Sequence, residues 1–534
     1  MTTRWTLTPP GGATNGATTQ NPREHAPERN TAGARNLETR VDRDALRFVA
    51  VSNRLPVVVE HGEEGWTTHP GSGGLVTALA PVLRNRGGLW IGWAGVSDEV
   101  DLHPLLDQAS REAGYRLHPV RLTPEEVRLF YRGISNEALW PLFHDLFTRA
   151  KFAPEGWRAY LEVNRKFARV VARRGRSADY IWVHDYHLMT LGRELRALGV
   201  EQRIGFFLHI PFPALDIFLK LPWRAQILHA LLDYDLVGFQ TARDRRNFLD
   251  CARMVVPNVR ARGQGAVVSL SYAGRDVRVG AFPISIDYDE FARQAAGPSV
   301  SARTLRLREE LGGRTIILGV DRLDYTKGIP ERLEAFRLAL SRYPELRCNV
   351  TYVQVAVPSR QTVPEYQALR AEVDRLVGEI NGQFTQIGWV PIHYFFRSFD
   401  REELLAYYRA ADIALVTPLK DGMNLVAKEY CAAHVDNMGT LILSEFAGAA
   451  AQLHRWALTV NPFDVEGMAE AIHSAYHMAP AERQRRMKRL RESIRRNNIF
   501  RWVDDVLEAS VAKRLVDFPY EPDYIPPLEV GNDF

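Results

Sequence analysis

The chain has 534 residues, 46% hydrophobic, 25% charged and 10% aromatic, which is material for two or three packed domains and excludes a wholly disordered chain. Lys and Arg number 68 against 64 Asp and Glu, and a net charge of +4 argues against a general nucleic-acid binder while leaving room for a local basic pocket. Cys251, Cys348 and Cys431 are too few and too scattered for a disulfide framework or a Cys-rich zinc site, and no run approaches the ~18 apolar residues of a membrane span, so a reducing, cytoplasmic setting without membrane or nucleic-acid partners is expected.

Residues 1–46 are rich in Thr, Gly, Asn, Pro and Arg and nearly devoid of large apolar side chains. Such a segment cannot bury enough surface to offset chain entropy, and a disordered N-terminal tail is predicted. Glu24, Glu28, Glu38, Asp42 and Asp44 argue against a transit peptide, which is poor in acidic residues. From Arg47 onward, short β-branched and apolar runs at 48–51, 89–93, 180–183, 204–208 and 236–239 alternate with helical patterns. A second series follows at 316–320, 351–357, 413–416, 440–443 and 458–460. Runs of this length between turn residues suit strands buried on both faces. Leu369, Val373, Val377 and Ile380 recur at helical spacing between two of them. The alternation predicts an α/β protein with two doubly wound, Rossmann-like domains, at 47–280 and 281–480, with a seam near 275–300. A helical segment and tail at 481–534 is expected to pack back on the first domain, its Pro-rich acidic end loose.

In open α/β sheets ligands bind beyond the carboxyl ends of the strands. After the first run come Ser52, Asn53 and Arg54, then Gly71, Gly73 and Gly74 ahead of a helical pattern; such a turn can present backbone N–H groups to a phosphate, or simply start a helix. His184, Asp185 and His187 follow the third run and His209 the fourth, so two neighbouring strand ends can converge on one polar ligand. Zinc is disfavoured for this group, because His184 and His187 lack a helical frame. Arg322 and Lys327, five apart before a helix, suit a diphosphate. Arg360 stands at another strand exit, able to hold an anion bidentately. Asp421 and Glu429 flank Gly422 where a helix starts near Asn424; they suit sugar hydroxyls, or an N-cap and a surface carboxylate. No GxSxG elbow, Walker loop or HExxH motif is present. The residues therefore point to a diphosphate site between two α/β domains, without a metal ion or other cofactor. It faces a second polar pocket that carries an arginine.

Nine ordered segments carry a resemblance: VSNRLPV, SGGLVTAL, YRGISNEALWPLFH, WVHDYHLM, RIGFFLHIPFP, DYDLVGFQT, GVDRLDYTKGIPERL, PLKDGMNLVAKEY and LILSEFAGAA. Together they resemble the trehalose-6-phosphate synthase family of retaining glycosyltransferases with the GT-B fold, over residues 49 to about 463. The resemblance implies transfer of glucose from a nucleotide-glucose, for which UDP-glucose is the expectation while the sequence leaves UDP, ADP and GDP open as the carrier. The acceptor would be glucose 6-phosphate, and the products trehalose 6-phosphate and the nucleoside diphosphate. It implies that Arg322 and Lys327 bind the diphosphate. Asp421, Gly422, Met423 and Asn424 would hold the glucose, Leu425 and Val426 lie near the nucleotide, and Glu429 holds the ribose. Gly73 and Gly74 would approach the donor, and Asp185 and His209 would line the sugar site. Arg54, Tyr131, Trp140 and Arg360 would form the acceptor pocket. Asp145 and Leu146 depart from the Tyr-Arg that many members carry after Phe143-His144, and LPWR at 221–224 is similar to the sister family, glucosylglycerol-phosphate synthase, which uses glycerol 3-phosphate. A catalytically dead sugar-phosphate sensor on the same fold would be expected to lack these cations and carboxylates. A homo-oligomer is compatible with all of these readings.

Overall fold

The computed structural model describes residues 47–512 and Tyr524, apart from positions 63–64, 72–73, 97–100, 264 and 362. The expectations for the N-terminal tail, for Gly73 and for all of the C-terminal tail except Tyr524 fall outside the described residues. The strands in chain order are β1 (Phe48–Arg54), β2 (Val57–Gly62), β3 (Gly65–Pro70), β4 (Leu89–Trp93), β5 (Arg116–Pro119), β6 (Tyr180–His184), β7 (Ile204–Phe207), β8 (Leu236–Phe239), β9 (Arg260–Arg262), β10 (Val267–Tyr272), β11 (Arg275–Ala281), β12 (Thr315–Arg322), β13 (Val350–Val357), β14 (Ile392–Phe395), β15 (Ile413–Val416), β16 (Thr440–Ser444) and β17 (Leu458–Val460).

They form two large sheets and the β2–β3 hairpin. The first sheet has the order β5-β4-β1-β6-β7-β8-β11-β10-β9. It is parallel from β5 to β11 and closes on one side with antiparallel β10 and β9. The second, β14-β13-β12-β15-β16-β17, is parallel throughout. Every residue of β4, β6, β7, β8, β15 and β16 is buried, as their unbroken apolar runs require in a sheet covered on both faces. Each sheet has one place where the chain leaves two adjacent strands in opposite directions. In the first, β4 flanks β1 on one side and β6 on the other; in the second, β13 and β15 flank β12. Crevices at such reversals are where open α/β sheets bind ligands.

β11 is the last strand in the chain to join the first sheet, and β12 is the first to join the second. The last helix, Ile499–Val511, returns to that sheet. Trp502 is 3% exposed, its ring lies 4.7 Å from that of Trp182, and its indole N–H donates to the Phe282 carbonyl at 3.0 Å. Arg278 donates to the Ala512 carbonyl at 2.6 Å, and the hydroxyls of Tyr180 and Ser510 lie 2.7 Å apart.

Beneath the reversal of the second sheet sits Arg332, a fully buried arginine on the helix Ile329–Arg342. Its guanidinium lies 2.6 Å from Asp321 of β12 and donates to the carbonyls of Leu415 at 3.0 Å and Lys327 at 2.6 Å. Burial alone would lower its pKa, but Asp321 and Tyr352 hold it above the ordinary value, so it stays charged. One cation thus ties β12, the end of β15 and the turn that carries Lys327. Removing one partner of a buried pair strands the other charge and costs about 3–5 kcal/mol. Arg332→Met should therefore lower the unfolding free energy from urea titration by an amount in that range, and Arg332→Met with Asp321→Leu should recover part of it; a wild-type unfolding free energy for the single variant would show that the pair does not brace the loop.

Candidate active site

The two reversals bring together most of the residues singled out from sequence. Arg322 ends β12, and Lys327 closes the short turn Tyr325–Lys327 before the next helix. Lys327 forms an ion pair with Asp421, which lies in the loop after β15. Burial would raise the Asp421 carboxyl, but Lys327, His144 and Arg322 outweigh it and hold the group below the usual carboxylate range. Gly328 follows at φ +63°, where a Cβ would come within 2.4 Å of the Thr417 carbonyl, so the turn needs glycine there. Asn424, also left-handed at φ 69°, precedes the helix Leu425–Ala433, and its buried Oδ1 has no hydrogen-bond partner among the described residues. Leu425 and Val426 open that helix, half-buried. Met423 is buried, its carbonyl accepting from Ala449 N–H at 2.8 Å. Glu429, in the same helix, accepts from the Tyr408 hydroxyl at 2.9 Å, and burial pushes its carboxyl up against the pull of Arg401.

The loops of the two sheets touch at Gly422. A Cβ there would stand 2.0 Å from the His209 carbonyl oxygen and 3.0 Å from Ile210 Cα. His209 follows β7, and its Nε2 lies 3.1 Å from Nδ1 of His184, the last residue of β6. Burial lowers the pKa of both rings, that of His209 to about 3, so the pair is neutral. Asp185 sits between them in sequence at φ 76° and accepts from His209 N–H at 3.2 Å. Burial pushes its carboxyl up to about 6, opposed by backbone N–H groups and by Arg322. A non-glycine residue held at positive φ carries strain that folded structures retain chiefly where a side chain must be aimed.

Beside them lies an aromatic and cationic cluster. Tyr131 belongs to a wide helix, Val127–Leu139, with i→i+5 bonding; at its end the Trp140 N–H reaches the Ser135 carbonyl. Helices of this kind occur frequently at functional sites. Tyr131 stacks on His187 at 5.9 Å and meets Trp93 at 5.8 Å, and the Arg54 guanidinium lies over the Trp93 ring at 4.5 Å. His187 is buried with both ring nitrogens unpartnered among the described residues; burial, then Arg360 and Arg54, lower its pKa to about 3. Two arginines from opposite sheets therefore face one neutral imidazole.

Trp140 is 5% exposed, and its ring has Arg360 at 4.5 Å, Arg322 at 5.9 Å and His144 at 4.2 Å. Its indole ring thus packs against both arginines. Arg360, at φ 45°, bonds the Tyr366 hydroxyl and lies 3.5 Å from Asp324 and from the Tyr186 hydroxyl. Burial opposes its charge, but Tyr186, Tyr366 and Asp324 raise its pKa. Asp324, Tyr366 and Tyr186 escaped the sequence reading, although Asp324 lies inside the quoted DRLDYTKG segment. Asp324 accepts from Thr326 N–H at 3.0 Å and from the Tyr366 hydroxyl at 2.9 Å, so it shapes the turn and orients Arg360 together. Asp145 pairs with Lys420 from the loop preceding Asp421, and the departure from the family pattern thus makes a tie between the two sheets. Gly74 is the first residue of the helix Gly74–Arg86.

Comparison with known proteins agrees with this geometry. Residues 46–510 match the model for glycosyltransferase family 20. The trehalose-6-phosphate synthase of Mycolicibacterium smegmatis is 46% identical over 473 residues, covering 87% of this chain and 92% of that protein; the one from Mycobacterium tuberculosis is 45% identical over 471 residues, covering 86% and 94%. Among solved structures, an α,α-trehalose-phosphate synthase (UDP-forming) from Burkholderia xenovorans in complex with glucose 6-phosphate superposes with a TM-score of 0.79 at 37% identity, covering 87% of this chain and 99% of that one. A chain from E. coli bound with UDP-2-fluoro-glucose gives 0.78 at 39% identity, covering 87% and 98%. The two doubly wound sheets with their reversals facing each other are the GT-B fold, and this chain belongs to glycosyltransferase family 20 as a glycosyltransferase of the trehalose-6-phosphate synthase family.

Proposed function

We propose that this chain transfers glucose from UDP-glucose to the anomeric hydroxyl of glucose 6-phosphate with retention of configuration, giving trehalose 6-phosphate and UDP. The observation that carries the proposal is the convergence of Arg322 and Lys327 from one sheet with Asp185 and His209 from the other, beside Arg54 and Arg360. Relatives of this family include structures described with glucose 6-phosphate and with a UDP-sugar, and this chain keeps the side chains suited to both.

In this proposal Arg322 and Lys327 take the donor diphosphate and stabilise the charge that grows on it as the C1–O bond breaks. The acceptor O–H attacks C1 from the face that the diphosphate leaves, and its proton passes to the departing phosphate oxygen. No covalent glycosyl-enzyme is needed. Asp421, Gly422, Met423 and Asn424 hold the glucose, with Leu425 and Val426 by the nucleotide and Glu429 at the ribose. Asp185 and the neutral His209 offer hydrogen bonds to sugar hydroxyls, and Gly73 and Gly74 approach the donor. Arg54 and Arg360 hold the acceptor phosphate, while Tyr131 and Trp140 pack the pocket and set the arginines. Side-chain cations fill the role that a metal ion plays in other transferases. Residues 47–280 would carry the acceptor and 281–480 the nucleotide sugar, with 481–534 as the returning segment.

Arg322→Ala and Lys327→Ala should each lower kcat by 10² to 10³, about 2.7–4 kcal/mol of transition-state stabilisation, with an unchanged circular dichroism spectrum. Either variant turning over UDP-glucose near the wild-type rate would remove the diphosphate assignment. Gly422→Ala should lower kcat/KM for the donor at least about tenfold, because the added methyl forces the His209 loop aside; an unaffected constant would mean that the contact is not needed for turnover. The acceptor is tested by crossing UDP-, ADP- and GDP-glucose with glucose 6-phosphate and glycerol 3-phosphate. UDP-glucose with glucose 6-phosphate should be the most efficient pair, and a preference of about tenfold or more for glycerol 3-phosphate would transfer the chain to the glucosylglycerol-phosphate reaction.

A further inference from the structure

At the opposite end of the second sheet, three potential ligands meet at one point. The helix Val465–His477 follows β17, and near its C-terminus His473 and His477 occupy positions i and i+4, which project from the same face. The helix Ile329–Arg342 packs beside it and is followed by Tyr343 and the short turn Pro344–Leu346, which precedes β13. That turn contributes Glu345. Its Oε1 lies 2.9 Å from His473 Nε2 and 3.6 Å from His477 Nε2, and one ligand atom from each of the three residues lies within 4.8 Å of the others. Glu345 precedes β13, whereas Arg360 follows the same strand at its other end.

We propose that Glu345, His473 and His477 form a site for a divalent transition-metal ion of the zinc class. A tetrahedral ion with bonds of about 2.0–2.1 Å separates its ligands by about 3.3–3.4 Å. The two carboxylate–imidazole distances straddle that value, so the ion enters with shifts of a few tenths of an ångström in Glu345 and a modest closing of the imidazole pair. Two imidazoles and one carboxylate select a borderline ion such as Zn²⁺, Co²⁺, Ni²⁺ or Cu²⁺ over Mg²⁺ or Ca²⁺, which take oxygen donors. The rings are already held in place. Tyr343 stacks on His473 at 3.9 Å with an interplanar angle of 16°, and Arg342 lies 3.3 Å from Glu470 and 3.6 Å from Glu466 of the same helix. Outer contacts that fix ligand orientation strengthen metal sites. Three protein ligands leave a fourth position for water, as the half-exposed side chains permit. The bound ion clamps the turn before β13 to the helix Val465–His477. It takes no part in glucosyl transfer, and the site stands whether or not the proposed reaction is correct.

The test uses the full chain, prepared without a polyhistidine tag and stripped with EDTA, titrated with Zn²⁺ by calorimetry. One ion per chain should bind in the micromolar range and raise the thermal unfolding midpoint. His473→Ala and His477→Ala should each weaken binding at least tenfold and abolish the rise, and Glu345→Gln should weaken it less. Co²⁺ should give a visible absorption band in the wild type that is lost in His473→Ala with His477→Ala, and Mg²⁺ should not displace it. Glucosyl transfer should be unchanged in all three single variants and in EDTA. Equal Zn²⁺ affinity in the wild type and the double variant, or no binding to the wild type, would leave only a carboxylate–imidazole hydrogen bond and overturn the proposal.

Discussion

The constraint on which the cleft depends is the contact at Gly422, where the loop after β15 presses on the backbone of His209. A Cβ at Gly422 would stand 2.0 Å from the His209 carbonyl, and one at Gly448 would stand 1.8 Å from the Gly422 carbonyl. Three loops from the carboxyl ends of two sheets thus pass each other with no side chain between them. Asp421 immediately precedes this contact and Asp185 accepts from the His209 N–H on the other side, so the positions of both carboxylates depend on it. Sidedness follows as well. Two outer ties between the sheets, Lys151 with Glu365 at 2.7 Å and Arg149 over Tyr325 at 5.0 Å, use more exposed cations and contribute less.

Around that contact the charges are arranged by burial. Arg322, Lys327 and Arg360 are set among Asp324, Asp421 and Asp185, while His144, His184, His187 and His209 are all driven neutral. The neutral rings offer hydrogen bonds without adding charge to a site where the arginines and the lysine already supply it. Several buried polar atoms here have no hydrogen-bond partner among the described residues: Trp140 Nε1, both nitrogens of His187 and Asn424 Oδ1. Such atoms are satisfied in most proteins.

The ten apolar runs read from the sequence all lie on strands, four of them with the same bounds, because a strand covered on both faces must be apolar throughout. The β2–β3 hairpin, β5, β9, β10, β11 and β14 were not legible. β9, β10 and β11 mix polar or charged residues with apolar ones, as in Arg275–Ala281, because partly exposed strands at the sheet margin need cover on one face only. The site was legible where it lies directly after a buried strand, as for Arg54, Asp185, His209, Arg322 and Arg360. It was not legible for Arg332, whose burial rests on contacts with β12 and β15, or for Tyr366 and Tyr186, which bear on the site through the arginine that they contact.

The sequence by itself determined the α/β class, the two series of strands and the residue types held at their carboxyl ends, since these depend on local periodicity and on the short reach from a strand to its following loop. Tertiary structure alone decided which strand ends face each other, that Trp140 serves the arginines as a wall, and that Asp145 meets Lys420. It also decided that Glu345 reaches His473 and His477 across 128 residues of sequence for the nearer pair. Each of these is a contact between segments far apart in the chain. Its existence follows from the strand order and the packing angle of the helices, and neither quantity is written in any local stretch of residues.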